Sequence, residues 1–232
     1  MNTNKTQSFV IVTPTSKESL DIGFRLKENG QKNGLDSIQL YMGYTPEKSS
    51  IQKLFLDEGI STTKFDNNKF SRRENSMCCF FSHYSLWKKL STMPSDDDDA
   101  VFVIFEHDAL FERPFDWETI QKTNKLCSIG RPSFGKYNKK SSDGVFPLYS
   151  KNYLPGAHAY ILKKSGACEL VEMAKKKDCA EPTDVFINKK RFPWIQEVSP
   201  WICYVDETFS TVQNVTGCKA KHAYDPATYR II

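Results

Sequence analysis

The chain has 232 residues, of which 39% are hydrophobic, 26% charged and 13% aromatic; this is an ordinary globular composition and excludes extensive disorder. No window approaches the roughly 20 apolar residues of a membrane span, and the N-terminal MNTNKTQSFVIV lacks the layout of a secretory signal, so a cytoplasmic protein is expected. The net charge of +4 suits an anionic substrate but falls far short of a nucleic-acid signature.

The first element, SFVIVTPTS, reads as a short buried strand closing in a turn. A helix from Lys17 to about Asn29 follows, with Gly30 and Gly34 as its terminators. DSIQLYMGYT is a second strand, and PEKSSIQKLFLDEG a helix with Pro46 at its start and Gly59 at its end. Alternating strands and helices predict an α/β fold with a parallel sheet wound by right-handed crossovers.

The segment ENSMCCFFSHYSLWKKL places Met77, Phe80, Phe81, Tyr84 and Trp87 at helical spacing, which predicts a long buried helix capped by Asn75 or Ser76. The acidic run Asp96 to Asp99 reads as a solvated turn. AVFVIFEHD then enters as a central strand. Further on come a weaker strand at LCSIG, a loop-rich stretch from Arg131 to Pro155, a strand AHAYILKK, a helix SGACELVEMAKKK, a short helix TDVFINKKR and a strand in WICYVD.

Seven cysteines (Cys78, Cys79, Cys127, Cys168, Cys179, Cys203 and Cys218) are an odd number without a CxxC pair, and free thiols are expected. The central strand carries the chemical signal. It ends in Glu106, His107 and Asp108, groups that are costly to bury without partners. Strand alternation would put Glu106 and Asp108 on one face and His107 on the other. At the carboxyl end of a parallel strand, where open α/β sheets bind ligands, such a pair suits a hard cation, Mg²⁺ or Mn²⁺. An Asp capping the next turn and a Glu paired with a lysine would fit the same residues.

The ordered series SMCCFFSHYSLW, VFVIFEHDALF, PGAHAYILKKSGACEL and PTDVFI resembles glycosyltransferase family 25 over roughly residues 8 to 212. The resemblance implies a GT-A-like, Rossmann-related fold, mostly parallel and flanked by helices. It implies one domain over 1–232, with a nucleotide-sugar-binding half over about 8–130 and an acceptor half over about 131–232. It also implies a nucleotide-sugar donor, usually a uridine diphosphate sugar, Mn²⁺ (or Mg²⁺) at the acidic motif, and inverting transfer to a saccharide hydroxyl. On that mapping Asp108 and Glu106 are metal ligands, with His222 of the KAKHAYDP tail as a third. Thr13, Arg25, His83, Glu106 and Asp108 bind the donor, and Asp184 of PTDVFI is the base or an acceptor-binding carboxylate. His107 stands where the family has a middle acid, and Ser76 and Cys78 where it has Glu and Gly.

Such a transfer needs a base for the acceptor hydroxyl and stabilisation of the departing phosphate. Asp184 also suits a helix N-terminal charge, and His83, sharing a helical face with Cys79, Leu86 and Leu90, also suits a hydrogen-bonded core histidine. His158 follows Pro155-Gly156, a turn that lets backbone approach a ligand. Two other functions remain open: transfer to hydroxymethylated DNA, with lysine-rich patches following the phosphates, and a catalytically silent glycan- or nucleotide-binding module.

Overall fold

The computed structural model describes residues 6–66, 71–94, 100–133, 135–154, 157–205 and 210–213. Strands β1 (Thr6–Val12), β2 (Ile38–Met42), β3 (Val101–Glu106), β5 (Leu126–Ser128), β6 (Gly144–Pro147), β7 (Ala159–Lys163) and β8 (Gln196–Ser199) form one sheet in the order β2-β1-β3-β7-β5-β8-β6. Strands β4 (Ala109–Phe111) and β9 (Cys203–Val205) pair antiparallel in a separate ribbon. The helices are α1 (Lys17–Lys32), α2 (Ile51–Asp57), α3 (Arg73–Ser91), α4 (Trp117–Lys122), α5 (Lys164–Ala174) and α6 (Thr183–Phe186).

This is a mixed α/β fold with a large, mostly parallel sheet flanked by helices. β1, β2, β3, β5 and β8 run one way, while β7 and β6 run against them. The reversal at β7 departs from simple parallel winding, and it brings the start of β7 beside the end of β3, with Phe105 opposite Ala159.

Strand alternation divides the core in two. Phe9, Phe102, Ile104, Tyr160 and Leu162 face one way and pack with α3 and α5, in one cluster with Phe80, Trp87 and Leu170. Val10, Val12, Val103, Phe105 and Ile161 face the other way and cluster with Leu26 of α1. β3 is buried on both faces, as its apolar run predicts. Helix α3 is buried almost all round, from Ser76 to Leu90.

Several boundaries depart from the sequence reading. Gly30 does not terminate α1; it is a buried helical residue where a Cβ would overlap Ile38, so it lets the helix lie close on β2. Gly34, at φ +84°, follows the helix instead. Pro46 opens a turn in which Thr45 O accepts from Lys48 and Ser49, and α2 begins only at Ile51. Neither Asn75 nor Ser76 caps α3, which starts at Arg73; Asn75 Nδ2 instead donates to Thr211 O at 3.0 Å. The helix expected over TDVFINKKR is the single turn α6, where Asn188 Nδ2 takes the Val185 carbonyl at 2.8 Å and Ile187 is extended.

β6 lies inside the loop-rich stretch from Arg131 to Pro155, and β4, α4 and β8 are elements beyond those the sequence pattern predicts. The described cysteines are free thiols. Among the described residues, no helix is long and apolar enough to cross a membrane. Asp96 to Asp99, Pro155, Gly156, Cys218 and His222 lie outside the described residues.

Candidate functional site at the carboxyl edge of the sheet

The site forms where β1, β2 and β3 end. Glu106 closes β3 on the face already occupied by Phe102 and Ile104, so its carboxylate meets α3. Cys79 and His83, one helical turn apart, point at it: His83 Nε2 lies 3.2 Å and Cys79 Sγ 3.6 Å from Glu106 Oε1. The Glu106 side chain remains 28% exposed, so the group opens toward solvent while His83 is fully buried.

A second layer fixes the imidazole. Tyr160 Oη lies 2.8 Å from both His83 Nδ1 and Trp87 Nε1. All three side chains are fully buried. Trp87 can only donate, so Tyr160 accepts from it and gives its own hydrogen to His83 Nδ1; His83 Nε2–H then donates to Glu106. The chain Trp87–Tyr160–His83–Glu106 thus leaves no ring nitrogen unsatisfied.

The antiparallel start of β7 adds His158, whose carbonyl accepts from Glu106 N–H at 2.9 Å. Its imidazole lies against Gly130 at the end of β5, where a Cβ would overlap the ring. Burial pulls this histidine down to about 4, against the attraction of Glu106, so it is neutral at ordinary pH. His83 is a satisfied core histidine, as its helical face allowed.

Two carboxyl groups here are driven apart. Burial alone would raise Glu106, but the hydrogen bond from His83 outweighs it and holds the group below its ordinary value. Asp184 is pushed up to about 6, first by burial and then by the charge of Glu106, against its backbone bonds. Asp184 sits in the first turn of α6, and its Oδ1 accepts from Val185 N–H at 3.0 Å, so the helix-terminal role read for it also holds. Burial, then Glu106 and Asp184, raise the Cys79 thiol well above its usual range.

Other expected residues are placed less centrally. Thr13 follows β1 at this same edge, its N–H donating to Ser19 Oγ at 2.8 Å. Beside it, Gly43 N–H donates to Val12 O, and Tyr44 N–H to Ser82 Oγ of α3. Arg25 is exposed in the middle of α1, roughly 12 Å along the helix from the end that meets the edge.

β3 stops at Glu106, and His107 and Asp108 form a turn into β4, so the alternation expected to align Asp108 with Glu106 ends there. Among the described residues, the His, Cys, Asp and Glu side chains able to share one ion are Cys79, His83 and Glu106, with ligand atoms within 4.8 Å of one another; Asp108 is not in that group. One carboxylate with an imidazole and a thiol is a poor fit to Mn²⁺ or Mg²⁺, which select oxygen donors.

The sequence pattern alone does not place Cys79, Tyr160 or Trp87 at this edge. The i, i+4 spacing of Cys79 and His83 was the visible signal; the Tyr160 contribution depends on β7 running antiparallel to β3. No protein-family model and no curated protein matches the chain.

Proposed function

We propose that the protein is a glycosyltransferase of GT-A type, which moves a sugar from a nucleotide-sugar donor, a uridine diphosphate sugar first among candidates, to a hydroxyl of a saccharide acceptor. The observation that carries this reading is the pairing at the sheet's carboxyl edge of an ionised Glu106 with Asp184 poised at about 6. Environments that push two neighbouring carboxyl groups apart mark acid and base roles, and a base titrating near neutrality is matched to its task.

In this reading the donor lies across the ends of β1, β2 and β3, beside Thr13 and Tyr44. Asp184, ionised above about pH 6, takes the proton of the attacking hydroxyl as that oxygen bonds the anomeric carbon and the bond to the diphosphate breaks. Proton transfer of this kind contributes typically about 10²–10⁴-fold. Glu106 keeps its charge through His83, holds the proton affinity of Asp184 high, and stays partly exposed. No step runs through Mn²⁺ or Mg²⁺, whose preferred oxygen donors are not grouped among the described residues.

The experiment is a panel of nucleotide sugars, with nucleotide release followed for wild type and Asp184→Asn. Release from one donor, reduced about 10²-fold or more in the variant with nucleotide binding retained, is expected. Absence of both release and a nucleotide-dependent thermal shift across the panel overturns the reading in favour of a silent module.

A second acceptor class has support on the surface. Lys139 lies 5.8 Å over Tyr137, and Lys140 lies 5.2 Å over Phe146 and 5.9 Å over Tyr149. This basic aromatic face suits a polyanion such as hydroxymethylated DNA. Duplex binding that weakens steeply with salt would support that acceptor, and salt-independent or absent binding removes it.

A further inference from the structure

We propose that Cys79, His83 and Glu106 form a three-ligand site for a borderline-soft divalent transition metal, Zn²⁺ first, with the fourth position open at the carboxyl edge of the sheet. The inference is independent of sugar transfer.

Three observations carry it. The first is donor chemistry. A thiolate, an imidazole and a carboxylate suit Zn²⁺ or Co²⁺, whereas Mn²⁺ and Mg²⁺ favour sites built from oxygen. Three protein ligands with a vacant position are the pattern of zinc sites that bind water or substrate.

The second is spacing. Zinc bonds of about 2.0–2.3 Å at tetrahedral angles put the ligand atoms roughly 3.3–3.6 Å from one another. The two separations from Glu106 Oε1 are 3.2 Å to His83 Nε2 and 3.6 Å to Cys79 Sγ, within about 0.1 Å of that range. Cys79 and His83 lie within 4.8 Å of each other, so a small rotamer adjustment completes the triangle. The i, i+4 placement on α3, a helix buried from Ser76 to Leu90, fixes the two donors on a rigid frame.

The third is the layer behind the ligands. A metal-bound histidine commonly donates its other ring N–H to a fixed partner, which sets tautomer and ring orientation. Tyr160 Oη, itself held by Trp87, is in place 2.8 Å from His83 Nδ1. On binding, the Cys79 proton leaves to solvent as the sulfur–metal bond forms. His83 moves its single proton from Nε2 to Nδ1, which then donates to Tyr160, freeing the Nε2 lone pair for the ion. The partial exposure of Glu106 supplies the way in.

The test uses the full chain, stripped with chelator and titrated with Co²⁺. One equivalent is expected to bind with a near-ultraviolet sulfur-to-cobalt charge-transfer band and visible bands of four-coordinate intensity. Zn²⁺ should bleach the spectrum stoichiometrically, and a roughly tenfold excess of Mn²⁺ should not.

Cys79→Ser, nearly isosteric, should lose the near-ultraviolet band completely. Glu106→Gln should weaken binding by at least about tenfold, since even partners behind the ligands are worth about 10–100-fold. Circular dichroism and thermal melts establish that both variants fold. No charge-transfer band in wild type, its persistence in Cys79→Ser, or full displacement by Mn²⁺ overturns the proposal. Nucleotide-dependent thermal shifts, read separately, report on the transferase reading alone.

Discussion

Removing one oxygen from the buried chain behind Glu106 should be expensive. Tyr160→Phe keeps the ring and its stacking on His83, at 5.8 Å between centroids and 27° between planes, so little apolar burial is lost. The hydroxyl, however, partners both Trp87 Nε1–H and His83 Nδ1 at 2.8 Å, and all three side chains are fully buried. Each buried polar group left without a partner costs about 1–3 kcal/mol, so the variant should lose about 2–6 kcal/mol. That is a large fraction of the roughly 5–15 kcal/mol typical of a folded domain. Urea unfolding followed by fluorescence and far-ultraviolet circular dichroism measures it, with the slope against denaturant unchanged. Trp87→Phe closes a double-mutant cycle, and the pair should be coupled by about 0.5–3 kcal/mol. A loss in Tyr160→Phe below about 1 kcal/mol, or additive behaviour in the cycle, would refute the account of a dry, mutually satisfied network.

Three further outcomes are expected. Folded Asp184 holds its proton up to about pH 6 against an ordinary value of 3.8, so its stabilising contribution is complete below about pH 4 and is lost as pH rises through 6. Asp184→Asn should therefore gain stability over wild type at pH 8 relative to pH 4, by up to about 3 kcal/mol; equal differences at the two pH values in urea melts count against the raised proton affinity. Gly130→Ala drives a methyl group into the buried His158 ring and should cost about 1–3 kcal/mol, largely relieved by a second change, His158→Ala; an additive pair would mean the ring moves aside freely. Glu197, fully buried on β8, accepts from Tyr149 N, Ser150 N, Ser150 Oγ and Trp201 Nε1. Glu197→Ala should lower stability by about 3 kcal/mol or more and release Trp201 fluorescence, whereas an unchanged melt would show that water replaces the carboxylate.

Local pattern was enough for the elements whose neighbours lie close in sequence. The apolar run Val101 to Phe105 reads as a strand buried on both faces from its short length and its β-branched and aromatic residues, and the spacing of Met77, Phe80, Phe81, Tyr84 and Trp87 reads as a buried helix from its side-chain period. Glu106 was legible as a site candidate because it is a carboxylate at the end of an apolar strand, whereas His83 and Asp184 were candidates through the family resemblance. The element β8 was not legible, since its QEVS hides a fully buried carboxylate that only the Tyr149, Ser150 and Trp201 donors make tolerable.

What tertiary structure decided was partnership. Asp108 lies outside the Cys79–His83–Glu106 group because the chain turns after Glu106, and Cys79 lies inside it because the packing of α3 on β3 sets the thiol 3.6 Å from a carboxylate 27 residues away. Tyr160 and His158 reach the same edge through the reversed direction of β7, a choice between two sheet pairings that its local sequence fits equally well. Chain periodicity fixes which face a residue shows, but the free energy that brings distant faces together is a property of the whole packed sheet, and the chemistry at its edge follows from that packing.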